Sequence, residues 1–236
     1  MIKVDRVTKS YKAGQYALRD CSLTIQRGEF VFLVGPSGSG KTSLLRLMLR
    51  EERPDAGHIF VAGKDLGAMP DWKVPFFRRN IGAIFQDYRL LPNKSAYENV
   101  AFALEVTGKP KRVVASQVPQ MLELVGLADK AQRLPSEMSG GEQQRVAIAR
   151  AFINKPLILL ADEPTGNLDS ANGEKVMELL ADLNARGATL VMVTHDARYA
   201  AHAKRLVRLF DGQIVAEQES HRSEEAAPDE PRQSGC

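Results

Sequence analysis

The chain has 236 residues, of which 44% are hydrophobic, 26% charged and 6% aromatic, with a formal charge of +3. This is ordinary globular usage, so a wholly disordered or collagen-like chain is excluded. Lysine and arginine are scattered along the chain rather than gathered into one run, which argues against nucleic acid as a partner.

The N-terminal part of the chain predicts two kinds of strand and a helix. Short apolar segments at 2–4 and 23–25, broken by polar turns, indicate antiparallel strands with one solvated face. Phe30–Val34 is instead apolar throughout, as is typical of a strand buried on both faces. A glycine-rich loop follows, and apolar residues at helical spacing then predict a helix over 42–50.

The middle of the chain predicts a helical insert. Helical periodicity dominates residues 92–154, with breaks at Gly108, Gly126 and Pro135, and we bound a helical subdomain at about 88–155. Apolar β-rich runs return at 157–161 and 189–194, separated by a predicted helix over 171–186. Strands alternating with helices predict a parallel sheet in an α/β fold.

The C-terminal part predicts a hairpin and then a tail. Residues 206–215 indicate two strands that turn at Asp211 and Gly212. Residues 217–236 contain no large aliphatic or aromatic side chain and carry six acidic residues against two arginines. We therefore predict a domain over 1–216 and a disordered acidic tail over 217–236, which is either a solvated terminus or a short docking segment.

The glycine-rich loop matches the pattern G-x-x-x-x-G-K-[ST] between a buried strand and a helix, the context that this motif requires. Glycines let backbone N–H groups and the helix N-terminus face phosphate oxygens. We expect Lys41 to reach the β- and γ-phosphates of a nucleotide and the Thr42 hydroxyl to bind Mg²⁺. The predicted nucleotide-binding residues of the loop are Gly35, Pro36, Ser37, Gly38, Ser39, Gly40, Lys41, Thr42 and Ser43.

Two acidic residues follow the apolar run at 157–161. In a parallel sheet, Asp162 and Glu163 would lie at the carboxyl edge, where ligands bind. We expect Asp162 to orient the water shell of a magnesium ion and Glu163 to polarise the attacking water. The alternative for Glu163 is a carboxylate that stabilises a turn or a helix start.

A second glycine-containing segment, Ser139, Gly140, Gly141 and Glu142, precedes a helical run. It predicts a helix N-terminus suited to a phosphate. An ordinary serine-capped helix start is the alternative.

Taken in order, the phosphate loop, Gln86, the segment 139–142, the two acids and His195 resemble the ATP-binding cassette (ABC) ATPase family over roughly residues 1–215. The resemblance implies a P-loop NTPase with a RecA-like core, an antiparallel β subdomain and a helical subdomain. It also implies hydrolysis of ATP with Mg²⁺ by a head-to-tail homodimer. Each of two ATP molecules would lie between one subunit's phosphate loop and the other's segment 139–142.

Further roles are implied position by position. Tyr11 corresponds to the aromatic residue that stacks on adenine, although an exposed strand-edge tyrosine is the alternative. Gln86 corresponds to the glutamine that senses magnesium and the attacking water. Asp169 belongs to the dimer-contact loop, and His195 reaches the γ-phosphate, although a lone histidine after a strand is usually structural.

The chain departs from the family pattern at two positions of the signature segment. Met138 stands where leucine is usual, which is an apolar exchange. Glu142 stands where glutamine is usual and adds a negative charge near the predicted site. We infer no loss of activity from either departure, because Ser139 and the glycine N–H groups remain.

The stretches 74–87 and 161–169 resemble the cell-division branch of the family, although part of the second is shared with lipoprotein-releasing and macrolide-export ATPases. The resemblance implies an integral membrane FtsX-like partner, through which ATP-driven motion controls peptidoglycan hydrolases and their regulators. The segment after Gln86, with Tyr88, Leu90, Leu91 and residues 97–104, would receive a helix of that partner or form core. A lipoprotein-release or drug-export ATPase is the first alternative, and a soluble kinase or DNA-associated ATPase the second.

The apolar runs are far too short to span a bilayer, and the first residues lack the apolar region of a signal peptide. Two cysteines, Cys21 and Cys236, cannot form a disulfide framework, which fits a reducing compartment. We expect a peripheral protein on the cytoplasmic face of the cell membrane, held there by its partner.

Overall fold

The two kinds of strand form two different sheets in the computed structural model, which describes residues 1–12 and 14–219. An antiparallel sheet contains β1 (Ile2–Lys12), β2 (Gln15–Ile25), β4 (Ala56–Val61) and β5 (Lys64–Asp65), in the order β2-β1-β4-β5. A six-stranded sheet contains β3 (Phe30–Val34), β6 (Ile81–Ile84), β7 (Ile158–Asp162), β8 (Thr189–Thr194), β9 (Arg205–Phe210) and β10 (Gln213–Glu219). Its order is β10-β9-β3-β8-β7-β6.

The centre of the larger sheet is parallel and apolar on both faces. β8 pairs with β3 on one side and with β7 on the other, and all six residues of β8 are buried. Val34 lies opposite Thr194, and Asp162 lies opposite Val193. The carboxyl ends of the three strands are therefore level, so the segments that follow them start from the same edge of the sheet.

Within residues 1–12 and 14–219, six α-helices complete the fold: α1 (Lys41–Met48), α2 (Val74–Arg78), α3 (Ala96–Glu105), α4 (Lys111–Leu124), α5 (Gly140–Phe152) and α6 (Ser170–Ala185). Alternate residues of β3 separate the two faces of the sheet. Val31 and Leu33 pack with Leu44 of α1 and the antiparallel sheet, whereas Phe32 packs with Met177 of α6. Helices α3, α4 and α5 share a third core of their own.

The structure confirms the predicted α/β class and moves one predicted boundary. The hairpin turns at Asp211 and Gly212 as predicted, but β10 continues to Glu219, so predicted disorder is wrong for residues 217–219. The reason is pairing with β9, where Arg205 binds the Glu217 carboxylate. The rest of the predicted tail, 220–236, lies outside the described residues. The division into a domain over 1–216 and a helical subdomain over 88–155 stays a prediction.

One buried side chain fixes the segment between β6 and α3. Asn99 of α3 has no exposed surface, and its amide oxygen accepts a 2.8 Å hydrogen bond from the Leu91 N–H. Its amide nitrogen lies within 3.1 Å of the carbonyl oxygens of Leu91, Lys94 and Ser95. A single side chain therefore replaces regular secondary structure as the partner of this backbone.

We expect Asn99→Ala to lower the free energy of unfolding by about 2–3 kcal/mol, because it leaves buried backbone groups without partners. Asn93→Ala is the matched control, since Asn93 is exposed in the same segment, and it should change stability by less than about 0.5 kcal/mol. Urea denaturation of both variants measures the difference. Equal stabilities would contradict the role assigned to Asn99.

Candidate functional site

The phosphate loop connects β3 to α1 and requires glycine at two positions. Gly35 and Gly40 have φ angles of 155° and 101°, which side chains other than glycine rarely adopt. A Cβ atom at Gly35 would collide with the carbonyl oxygen of Leu209, and one at Gly40 with that of Ala17. The loop is therefore packed directly against the backbone of neighbouring strands, and its shape is fixed before any ligand arrives.

Lys41 lies inside this loop. Its side chain is buried, and Nζ donates hydrogen bonds of 2.8 Å to the carbonyl oxygens of Gly35 and Pro36. Burial lowers the pKa of Lys41, and the nearby charges of Glu163 and Asp162 oppose that shift. The ammonium group is thus held where phosphate oxygens could take the place of the two carbonyl oxygens.

Thr42 and Asp162 meet across the gap between α1 and β7. The Thr42 hydroxyl donates to Asp162 Oδ1 at 3.2 Å. Burial raises the pKa of Asp162, and the hydrogen bond from Thr42 partly offsets that effect. A hydroxyl and a carboxylate oxygen at this distance are the hard oxygen donors that Mg²⁺ prefers.

Glu163 and His195 follow adjacent strands and face each other. Glu163 Oε1 lies 3.2 Å from His195 Nδ1, and the Glu163 N–H donates to the Val193 carbonyl oxygen. Glu163 has a φ of 45°, so it sits in a strained turn directly after β7 rather than at a helix start. The helix-start alternative is therefore wrong, whereas a role in the turn remains compatible with this backbone.

Gln86 is held by a residue that the sequence did not single out. Its amide nitrogen donates to Asn167 Oδ1 at 3.3 Å, and Asn167 Nδ2 donates to the Gln86 carbonyl oxygen at 2.9 Å. This reciprocal pair ties the end of β6 to the turn that contains Glu163. No spacing rule pairs two amides that lie 81 residues apart, so only the structure could reveal it.

A cavity of about 370 Å³ lies over the phosphate loop. Tyr11 lines it, and its hydroxyl lies 3.0 Å from Glu52 Oε1 and 3.2 Å from Ser43 Oγ. Tyr16 lines the same cavity with its ring similarly exposed, and sequence reasoning missed it. The other lining residues are Gln15, Ala17, Ser37, Gly38, Gly40, Lys41, Thr42, Ser43 and Glu163.

The segment 139–142 forms the start of α5, away from this cavity. Ser139 Oγ accepts from the Glu142 N–H at 3.4 Å, and the Ser139 N–H donates to Glu142 Oε2 at 2.9 Å. This is a serine-capped helix start, as the alternative predicted. Among the described residues that line the cavity, none comes from 139–142. Met138 is buried in the helical core, which accounts for its apolar character.

Comparison with known proteins decides the family. The family model for ABC transporters matches residues 18–166 of the chain. The chain belongs to the ABC transporter family of ATPases. The family, the fold class and the ATPase activity predicted from the sequence are thereby confirmed, as is ATP as the nucleotide.

Three relatives that match over most of the chain are cell division ATP-binding proteins. The chain is 50% identical to the cell division ATP-binding protein FtsE of Mycobacterium tuberculosis over 93% of this chain and 96% of the relative. The chain is 46% identical to FtsE of Bacillus subtilis, over 92% of this chain and 96% of the relative. It is 45% identical to FtsE of Escherichia coli, over 91% of this chain and 97% of the relative.

A solved structure with the same fold is a dimer. It is the ATP-binding cassette MJ0796 in a post-hydrolysis dimer bound to ADP and Pi. Its TM-score is 0.85 and its sequence identity 39%, with 93% of this chain and 98% of that chain covered.

Asp169 is exposed and caps α6. It accepts a 2.9 Å hydrogen bond from the Asn172 N–H, and this bond lowers the pKa of Asp169.

No helix among residues 1–12 and 14–219 is long and apolar enough to cross a membrane.

We expect Asp162→Asn to raise the melting temperature by about 2–4 °C at neutral pH, because a half-buried carboxylate is replaced by a neutral amide. Since the folded pKa of Asp162 is raised, the charge destabilises the protein at neutral pH. This destabilisation disappears as the pH falls through the raised pKa of the folded state towards the ordinary pKa of an aspartate. The increase in melting temperature that Asp162→Asn produces should therefore vanish at that acidic pH.

Thermal unfolding at several pH values measures this effect. Asp129→Asn is the control, because Asp129 is exposed, and it should give no comparable gain. A gain from Asp162→Asn that stays constant down to acidic pH would contradict the assigned cause.

Proposed function

We propose that the protein is the ATP-hydrolysing subunit of an FtsEX-type membrane complex, in which ATP-driven dimerisation controls peptidoglycan hydrolysis during cell division. The observation that carries the chemistry is the convergence of Lys41, Thr42, Asp162 and Glu163 at one sheet edge. The similarity to three FtsE proteins over more than 90% of the chain supports the biological assignment. The protein would be peripheral on the cytoplasmic face of the membrane.

The donor set at the sheet edge suits a magnesium ion shared with ATP. Thr42 and Asp162 would hold Mg²⁺, with the side-chain oxygen of Gln86 as a further ligand. Within the described residues, no group of three His, Cys, Asp or Glu side chains is arranged to hold a metal. Phosphate oxygens and water would therefore complete the shell, and the ion would supply positive charge to the β- and γ-phosphates.

The remaining residues then have separate tasks in hydrolysis. Lys41 exchanges its two carbonyl partners for phosphate oxygens. Glu163 accepts a hydrogen bond from the attacking water, which raises the nucleophilicity of that water. His195, 3.2 Å from Glu163, holds the carboxylate and reaches the γ-phosphate. The Tyr11 ring, 51% exposed, stacks on adenine.

A second copy of the chain completes the site. The start of α5 presents N–H groups and the Ser139 hydroxyl, yet it lies outside the cavity of its own chain. In a head-to-tail homodimer, the partner's segment 139–142 would cover the ATP bound to the phosphate loop. Asp169 lies in the exposed loop before α6, where the predicted dimer contact would form.

We expect Glu163→Gln to bind ATP and remain dimeric with ATP and Mg²⁺, while hydrolysis falls by about 100-fold or more, because the neutral amide is a far weaker base for the attacking water than the carboxylate. Phosphate release and light scattering measure the two effects. Glu123→Gln, an exposed glutamate of α4, is the control. Wild-type turnover in Glu163→Gln would refute the role of Glu163.

The proposed membrane partner would dock in a groove between α2, β6, α3 and α5. A cavity of about 450 Å³ lies there, and Phe85, Ala103 and Val106 line it. Val106 is 54% exposed, whereas Leu104 is only 1% exposed and belongs to the helical core. Of the residues predicted to receive a partner helix, Leu104 therefore fits the core alternative, and Val106 is an exposed apolar side chain that lines the groove.

The partner is tested by purifying Glu163→Gln from native membranes with ATP and Mg²⁺ and identifying the retained membrane protein by mass spectrometry. We expect an FtsX-like protein. Val106→Asp in the same background should reduce its recovery by about fivefold or more, because a charge enters an apolar contact. Val215→Asp is the matched control, since Val215 is 53% exposed on β10.

Other outcomes of this purification are equally informative. Recovery of a lipoprotein-release or drug-export permease would retain the ATPase chemistry and replace the proposed biological role. Recovery of no membrane protein would contradict membership of a membrane complex.

A further inference from the structure

The unusual glutamate of the signature segment has a specific cationic partner. Lys130 ends a 3₁₀ helix, Ala128–Lys130, and its ammonium group forms an ion pair and hydrogen bond with Glu142 Oε1. The side chain of Glu142 is 17% exposed and that of Lys130 38%. The pair is thus partly shielded from water, which strengthens the interaction relative to a fully exposed pair.

The two oxygens of Glu142 are used in different ways. Oε1 binds Lys130, whereas Oε2 accepts the hydrogen bond from the Ser139 N–H that closes the capping box. The hydrogen bond from Lys130 is the main reason that the pKa of Glu142 lies below its ordinary value, so the group is ionised at neutral pH.

This geometry leaves the Ser139 hydroxyl able to donate. Its oxygen accepts from the Glu142 N–H, so its hydrogen is directed elsewhere. The hydroxyl and the first N–H groups of α5 would favour a phosphate, but a free carboxylate in the first turn would repel one. A cation that cancels the carboxylate removes this conflict.

We propose that Lys130 is a positioning residue that neutralises Glu142, so that the start of α5 can receive the terminal phosphate of ATP bound to a second copy of the chain. This inference rests on the proposed ATP-dependent dimer. It assigns to Lys130 a task in dimerisation and turnover, and no contact with the nucleotide. It also explains how the chain accommodates an acid where its family usually has glutamine.

The test compares four full-length proteins: the wild type, Lys130→Met, Glu142→Gln and the double variant. Steady-state hydrolysis gives KM for ATP and kcat, and light scattering gives the ATP concentration for half-maximal dimerisation. We expect Lys130→Met to raise both KM and the ATP concentration for half-maximal dimerisation by about tenfold at low salt, because the substitution leaves the Glu142 carboxylate unpaired beside the phosphate. In the Glu142→Gln background, the same substitution should change them by less than about twofold, since no charge remains to be cancelled.

Two further measurements separate this electrostatic role from simple packing. Lys130→Arg keeps the charge and should restore the wild-type values. The defect of Lys130→Met should also shrink as salt is raised from about 50 to about 300 mM, because ions screen the carboxylate. The melting temperature of Lys130→Met should fall by less than about 3 °C, since an ion pair that water can still reach contributes little to stability.

Equal effects of Lys130→Met in both backgrounds would overturn the proposal, because packing would then be the role of Lys130. Normal turnover of Lys130→Met beside an active wild type would overturn it as well. A wild type that neither hydrolyses ATP nor dimerises would overturn the proposed function together with this inference.

Discussion

The pairing of β8 with both β3 and β7 is the constraint on which the rest of the structure depends. Parallel ladders place Val34 opposite Thr194 and Asp162 opposite Val193. A slip of one residue would turn the apolar set of β8 that faces α1 towards α6, so burial on both faces fixes the register. The phosphate loop, the two acids and His195 each follow one of these strands. Their proximity is therefore a consequence of strand register.

The sequence predicted this edge well because its signals are local. Continuous apolar runs identify β3, β7 and β8, and the glycine loop and the two acids follow directly. Contacts between distant segments carry no such signal. The side chains of Gln86 and Asn167, and those of Lys130 and Glu142, form hydrogen bonds between segments that no periodic pattern in the sequence relates. The tail boundary was misplaced for a similar reason, since residues 217–219 at the end of β10 are held by pairing with β9 and by Arg205 rather than by apolar side chains.

Helix α5 connects the two parts of the proposed composite site. Ile148 packs in the core beneath the sheet, whereas Val146 and Ala149 pack in the helical core. The helix that would present Ser139 to a second chain is thus anchored to the same sheet that carries the phosphate loop. An ATP molecule bound between two copies would contact both through rigid elements. Hydrolysis of that ATP would therefore shift α5, which also lines the groove around Val106.

Several residues of the proposed nucleotide site lie in conformations or environments that lower the stability of the fold. Glu163 is held at a φ of 45°, and Asp162 carries a raised pKa because it is buried with few donors. Lys41 satisfies its ammonium group with carbonyl oxygens of its own loop. Bound phosphate and a cation would supply the opposite charges that Lys41 and Asp162 lack. A site arranged in this way would favour the nucleotide-bound state over the free chain, which is the property that an ATP-driven switch requires.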